Sequence, residues 1–285
     1  MGAYVRAGDD DIFVVDAPAE TASGAPPLLV LRGFPTSSID FAGVLPRLRE
    51  RRRVVLLDMP GYGLSSKADR AYSLLGQADA VEAVLAALGI EHVDLLTHDM
   101  GDSVGGELLA RSAEGELTFD IRRRVLTNGS IYMEMARLTD GQKMLLSLPD
   151  EQAAEDAAPD VDVVASALTA TLAPANSTAS QPDLDHIRAA ALLVVLRGGN
   201  RLLPRLIRYV EERRAHEDRF TGAIERHPSP LTVVWGDLDP IAVWSMTQRL
   251  IERRPNATLT RLEGVGHYPM IEAPAVFADA VLAGL

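Results

Sequence analysis

The sequence predicts an α/β protein with a doubly wound, mostly parallel sheet and a helical segment inserted between two parts of it. Three observations carry this expectation. Short Leu- and Val-rich runs that are apolar on both faces read as buried parallel strands. Segments of helical period separate the first four of them, and such alternation implies βαβ units. The rhythm then stops at about Ile131 and returns only after Pro228.

In chain order, the strand-like runs are "PPLLVLR" to Arg32, "RRVVLLD" to Asp58, "HVDLLT" to Thr97 and "RRVLTN" to Asn128. Leu74, Leu75, Ala78, Val81, Val84, Leu85 and Leu88 recur on one face of a helix between the second and third runs. The stretch from 151 to 183 is rich in Ala, Asp, Pro and Ser, and two or three amphipathic helices without strands are expected after it. "LTVVWG" to Gly236 and "ATLTRLE" resume the strands, and "APAVFADAVLAGL" closes the chain as a helix. The expected division is a core in two parts, 1–130 and 229–285, around a helical cap at 131–228.

Composition narrows the function. The 285 residues are 47% hydrophobic and 24% charged, as in a globular protein with a substantial core. Net charge is −12, which disfavours a phosphate backbone as partner, so no nucleic acid is expected. With no cysteine there is no disulfide, thiolate metal site or cysteine nucleophile. No apolar run approaches 18 residues and the first residues lack a basic flank before an apolar core. No membrane span and no export signal are therefore expected, and the expected location is cytoplasmic. The sequons at Asn128, Asn176 and Asn256 are then chance matches. No dense His/Asp/Glu cluster calls for a metal, and no cofactor is expected. The expected partner is a small-molecule substrate, apolar or of mixed polarity, and a homodimer stays open.

The most informative stretch is "LLTHDMGDSVGG", residues 95–106. A strand entering a helix through a sharp turn needs small residues two before and two after its tip, because the neighbouring backbones come close. Thr97 and Gly101 meet that need and leave Asp99 at the tip, at the carboxyl edge of the sheet where such proteins build sites. A bland alternative exists, since Asp is a favoured helix N-cap. Upstream, "LRGFPTSS" allows the Phe34 and Met100 amides to converge as an oxyanion hole. Downstream, Asp239 in "GDLDP" and His267 in "GHYP" each follow a strand-like run. The order is nucleophile, acid, histidine.

Through "GFPTSS", "HDMGDSVGGELLAR", "LTNG", "GDLDP" and "GHYP", the chain from about Pro27 onward resembles the α/β-hydrolase fold. Within it the resemblance is to the branch with an aspartate nucleophile, the epoxide hydrolases and haloalkane dehalogenases, and particularly to mesoderm-specific-transcript-like epoxide hydrolases. It implies Asp99 as nucleophile, His267 as general base in direct or one-water reach of it, Asp239 as orienting acid, and Phe34 and Met100 as backbone oxyanion donors. One departure is plain: the family usually carries His-Gly before its Phe-Pro, and this chain has Arg32-Gly33. Arg32 is expected to hold the loop through a salt bridge, or alternatively to bind an acidic substrate. His98 and Trp244 are further candidates for the substrate-binding wall.

A carboxylate is already an anion and suits displacement at an sp³ carbon, giving an alkyl ester that water then hydrolyses. Epoxides and haloalkanes share that cycle. Similar dehalogenases hold the departing halide with N–H donors such as a Trp after the nucleophile, where this chain has Met100 and Phe34 side chains that cannot donate. Fluoroacetate dehalogenases carry arginines where Met100 and Ser103 stand. An epoxide needs an acid, in related enzymes a cap tyrosine. Tyr209, on one apolar stripe with Leu202, Leu206 and Val210, and Tyr132, at the entry to the cap, are the candidates. The expected function is therefore epoxide hydrolysis to a vicinal diol, with haloalkane dehalogenation and ligand binding without turnover as alternatives.

Overall fold

The computed structural model describes residues 2–21, 23–180 and 182–285. Leu28–Leu31 (β3), Val54–Leu57 (β4), His92–His98 (β5), Asp120–Thr127 (β6), Leu231–Gly236 (β7) and Thr258–Leu262 (β8) run parallel, and β3, β4 and β7 are buried along their whole length. That burial on both faces is why they read as continuous apolar runs rather than alternating ones. A hairpin of Gly2–Ala7 (β1) and Asp10–Ala17 (β2), ahead of the first strand expected from sequence, pairs antiparallel on β4. The eight-stranded order is β1-β2-β4-β3-β5-β6-β7-β8. The hairpin shields the β4 edge, while β1 itself is largely solvent-exposed, as an edge strand can be.

Short Leu45–Leu48 (α1) precedes Leu74–Ala87 (α2), which Ser73 caps by accepting from the Gly76 N–H. Met100–Glu114 (α3) leaves β5 and ends at Gly115 in the left-handed region, φ 75°. Between β6 and β7 the chain forms no strand among the described residues, and its α-helices are Asp140–Ser147 (α4), Val161–Thr169 (α5), Leu184–Val195 (α6), Leu203–Leu206 (α7), Tyr209–Ala215 (α8) and Glu217–Arg226 (α9), with a 3-10 helix at Leu196–Leu202. The Ala- and Asp-rich stretch thus contains a helix of its own, α5, capped by Asp160. Ser245–Arg253 (α10), Pro269–Glu272 (α11) and Pro274–Ala283 (α12) complete the chain.

The inserted helices are bolted to the core rather than hinged loosely above it. A Cβ at Gly106 of α3 would strike the Phe220 backbone, so glycine lets α9 pack against α3. Arg219 on α9 donates to Glu107 of α3 at 2.6 and 3.0 Å, and Glu212 on α8 accepts the Leu74 N–H of α2 at 2.6 Å. The Thr221 hydroxyl donates to the Ile131 carbonyl at 2.5 Å. No helix of the described residues is long and apolar enough to cross a membrane.

Candidate active site

The β5–α3 turn is strained in the manner a projecting side chain requires. Asp99 sits at φ 52°, ψ −116°, positive φ without glycine's freedom, a conformation that costs on the order of 1–3 kcal/mol. Two glycines make room for it. A Cβ at Gly101 would collide with the Leu31 carbonyl, and one at Gly33 would fall on the Asp99 carboxyl group. Asp99 occupies the N-cap position of α3 but makes no side-chain cap hydrogen bond. Its Oδ2 instead accepts the Phe34 N–H at 2.8 Å, across 65 residues of sequence. The capping alternative is thereby removed. The Met100 N–H, the second expected donor, makes no hydrogen bond to the carboxylate.

His267 and Asp239 meet as a pair. His267 Nδ1–H donates to Asp239 Oδ2 at 2.8 Å, and both side chains are buried. The other oxygen of Asp239 accepts the Ile241 and Ala242 amides at 2.7 and 2.9 Å. Asn128, φ 44° at the end of β6, adds a fourth donor through Nδ2 to Oδ2 at 2.8 Å. Four donors fix the carboxylate as an acceptor facing the imidazole. Burial pulls the His267 pKa down, but the Asp239 carboxylate, by charge and hydrogen bond, outweighs it with help from Asp99 and Glu272, and the group is lifted to about 9. No hydrogen bond joins His267 to Asp99, so of the two expected contacts the direct one is absent, although Asp99 is near enough to act on it electrostatically.

Several residues outside the expected set build this arrangement. Buried Glu272 accepts the Gly266 and Tyr268 amides on either side of His267 at 2.9 and 3.0 Å. It also accepts the Ala173 N–H at 2.8 Å and the Ser180 hydroxyl at 2.7 Å from the inserted segment. Arg213 on α8 donates to the Asp99 carbonyl. Asn128 had a signal, the Asn of "LTNG" at a strand end. Glu272 and Arg213 had none, because each looks like an ordinary charged helix residue until the segments meet.

Four expectations for individual side chains need correction. Tyr132 donates its hydroxyl to Glu225 at 2.8 Å beneath the Arg249 guanidinium, 4.3 Å from its ring, so it is not turned towards Asp99 as an acid. Trp244, half-buried, stacks under Arg261 at 5.3 Å and lies off the cavity wall. His98 donates Nε2–H to the His267 carbonyl at 2.8 Å, which makes it a brace behind the histidine rather than a substrate contact. Burial, with the neighbouring His267, pushes its pKa down to about 4. Arg32 forms no salt bridge among the described residues. Its guanidinium lies 4.3 Å over the Tyr62 ring and donates to the Gly33 carbonyl, away from the cavity.

Tyr209 is the expected acid that the structure does bring close. Its ring lies 5.7 Å from that of Phe34, whose amide holds Asp99, and no protein hydrogen bond occupies its hydroxyl among the described residues. Burial, then the Asp99 charge, push the phenol well above its ordinary range, with Arg213 opposing them. A cavity of about 130 Å³ opens between α4, α5 and the core, reaching His267, Tyr268 and Phe34. Met144, Leu145, Val164 and Leu168 line it, and no carboxylate, ammonium or guanidinium does; Asp99 lies behind Phe34 rather than on this wall, and Tyr209 faces a separate small cleft with Tyr62 and Met100. Among the described residues no group of three or more His, Asp and Glu is placed to hold a metal ion.

Residues 28–280 match the model of the alpha/beta hydrolase family. The chain is 39% identical over 282 residues to the putative hydrolase LipZ of Mycobacterium tuberculosis, covering 99% of this chain and 94% of that protein. It is 31% identical over 278 residues to the mesoderm-specific transcript protein of Mus musculus, covering 91% and 78%. A haloalkane dehalogenase loop variant from Bradyrhizobium elkanii superposes with a TM-score of 0.76 at 18% identity, over 99% of this chain and 95% of that one, a likeness of fold.

Proposed function

Because the chain belongs to the alpha/beta hydrolase family, whose members include proteins named as hydrolases, we propose that it is an epoxide hydrolase working through an ester on Asp99. The observation that carries this reading is the strained Asp99 turn, with one carboxyl oxygen bound by the Phe34 N–H and the side chain excluded from capping α3. The oxygen held by Phe34 is polarised towards the amide and Oδ1 is left to attack. Oδ1 bonds to an epoxide carbon, the C–O bond of the ring breaks, and its electron pair passes to the epoxide oxygen, which takes the phenolic proton of Tyr209.

Hydrolysis follows at a different atom. Water attacks the ester carbonyl carbon of Asp99 while His267 accepts its proton and Asp239 keeps the imidazole oriented. The oxygen developing negative charge is the one already facing Phe34 N–H. Esterification makes Asp99 neutral and removes one of the charges that hold the His267 proton. The imidazolium therefore releases its resting proton to solvent and becomes the neutral base that the step needs. Collapse releases the diol, with Tyr209 and His267 regaining their resting protonation.

Epoxide is favoured over halide by what surrounds the carboxylate. Met100 and Phe34 offer no side-chain N–H to a departing halide, whereas the Tyr209 phenol has an unoccupied hydroxyl. The test follows intact mass with styrene oxide. His267→Gln should accumulate protein carrying one added substrate mass on the Asp99 peptide, and Asp99→Ala should show neither adduct nor diol. Wild type in one turnover in ¹⁸O-water should give largely unlabelled diol and labelled Asp99. Label entering the diol directly in that first turnover sinks the proposal, and turnover of 1-bromobutane without styrene oxide transfers the site to dehalogenation.

A further inference from the structure

We propose that Arg213 is a positioning residue for ring opening, a buried guanidinium from α8 that locks the Asp99 turn and the Tyr209 ring into one unit and keeps positive charge beside both. The inference rests on the epoxide reading above and assigns a role to a residue outside the triad. Arg213 is 2% exposed, among the largest wholly buried side chains of the protein. It makes no ion pair among the described residues. Burying a guanidinium without a partnered carboxylate is costly unless its donors are satisfied and its charge has work to do.

Its donors go to three parts of the core at once. Nε–H donates to Ser103 Oγ at 2.6 Å in the first turn of α3, Nη1–H to the Ser130 carbonyl after β6 at 3.2 Å, and Nη2–H to the Asp99 carbonyl at 3.2 Å. The last contact grips the strained residue itself. Tyr209 stands four residues earlier on the same helix, so its ring shares a face with Arg213, and the guanidinium carbon lies 4.9 Å from the ring centroid. The planar fork fixes α8 to the turn, and the stacked ring is carried with it.

The charge has a place in the chemistry. Before ring opening the negative charge is on Asp99, and afterwards it is on the Tyr209 phenolate, since the epoxide oxygen has taken the phenolic proton. The other acid near the guanidinium, Asp102, makes no ion pair with it, and burial drives its carboxyl well above the usual carboxylate range, with its contact to Thr97 and the Arg213 charge opposing. One cation thus faces the charge at both ends of its transfer.

A double-mutant cycle on single-turnover ester formation with styrene oxide tests this, because the part of the effect that runs through Tyr209 is lost once the phenol is gone while the hold on the Asp99 turn remains. Arg213→Gln should slow ester formation about 10-fold in wild type and about 3-fold or less in Tyr209→Phe, a range usual for coupled neighbours. Hydrolysis of the preformed ester should change by less than about 2-fold. An equal loss in both backgrounds, an equal slowing of both steps, or no loss in wild type overturns the proposal. If Arg213→Gln does not fold, Arg213→Lys is carried through the same cycle with the same criteria. Failure of wild type to form any ester on Asp99 removes the epoxide reading and this inference together. An ester with a multiplicative cycle removes the inference alone.

Discussion

Asp99 and Tyr209 are assigned opposite ends of one bond-breaking event, and substitution at either has its own signature. Tyr209→Phe keeps the ring contacts to Phe34 and Arg213 and deletes only the acid. Ester formation should fall by about 10- to 10⁴-fold, the usual scale for a positioned general acid, with the melting temperature nearly unchanged. Unaltered single-turnover rates would remove the phenol from the mechanism. His98 offers a second measurement, on stability. Its folded pKa is about 4 against an ordinary value of 6.5, so between those values the unfolded chain binds the extra proton. Stability then falls as pH drops from about 6.5 towards 4. His98→Gln should lower the melting temperature at pH 7 by losing the fit to the His267 carbonyl, yet shrink the further drop between pH 7 and 5. An undiminished drop would place the acid sensitivity in another group.

At the scale of elements, the proposed site is a meeting of four strand ends and one helix from the insertion. The β3 loop supplies the Phe34 N–H, the β5 turn Asp99, the β7 loop Asp239, the β8 loop His267, and α8 delivers Tyr209. Close approach of the first two depends on an absent side chain. Gly33→Ala would put a methyl group on the Asp99 carboxyl, forcing the loop and the carboxylate apart. Ester formation should fall at least 100-fold, a scale comparable to losing one oxyanion donor, while circular dichroism stays native. A fully active Gly33→Ala would mean that the Phe34 contact is not used in the reaction. Glu272 acts at the same scale, since one carboxylate bonds the His267 loop and the inserted segment together.

At the scale of the molecule, we propose that the largely aliphatic cavity favours neutral substrates, because the cationic group on its wall, His267, is already paired with Asp239. Diol formation from neutral aryl or alkyl epoxides should exceed that from carboxylate-bearing analogues of similar size by at least about 10-fold in kcat/KM, because an anion would be buried against aliphatic side chains with only the already paired His267 to face it. Arg32→His should leave that ratio unaltered, since the guanidinium is turned onto Tyr62, and preference for the acidic substrate in wild type would contradict the assignment. The sequence by itself determined the parallel strands and the sharp turn that carries Asp99, and it singled out Asp239 and His267 as candidates by their order after strand-like runs. The strands and the turn rest on local rules: strands buried on both faces are apolar throughout, and a tight strand-to-helix turn demands small neighbours. The β1–β2 hairpin escaped that logic, being a partly exposed edge without a continuous apolar run. Only the tertiary structure decided which way long side chains point. Tyr132 and Tyr209 are both tyrosines of the same inserted segment, and Arg32 and Arg213 are both buried arginines. Their directions depend on Glu225, Tyr62, Ser103 and the Asp99 carbonyl, partners that lie from 30 to 114 residues away and that no periodicity in the chain records.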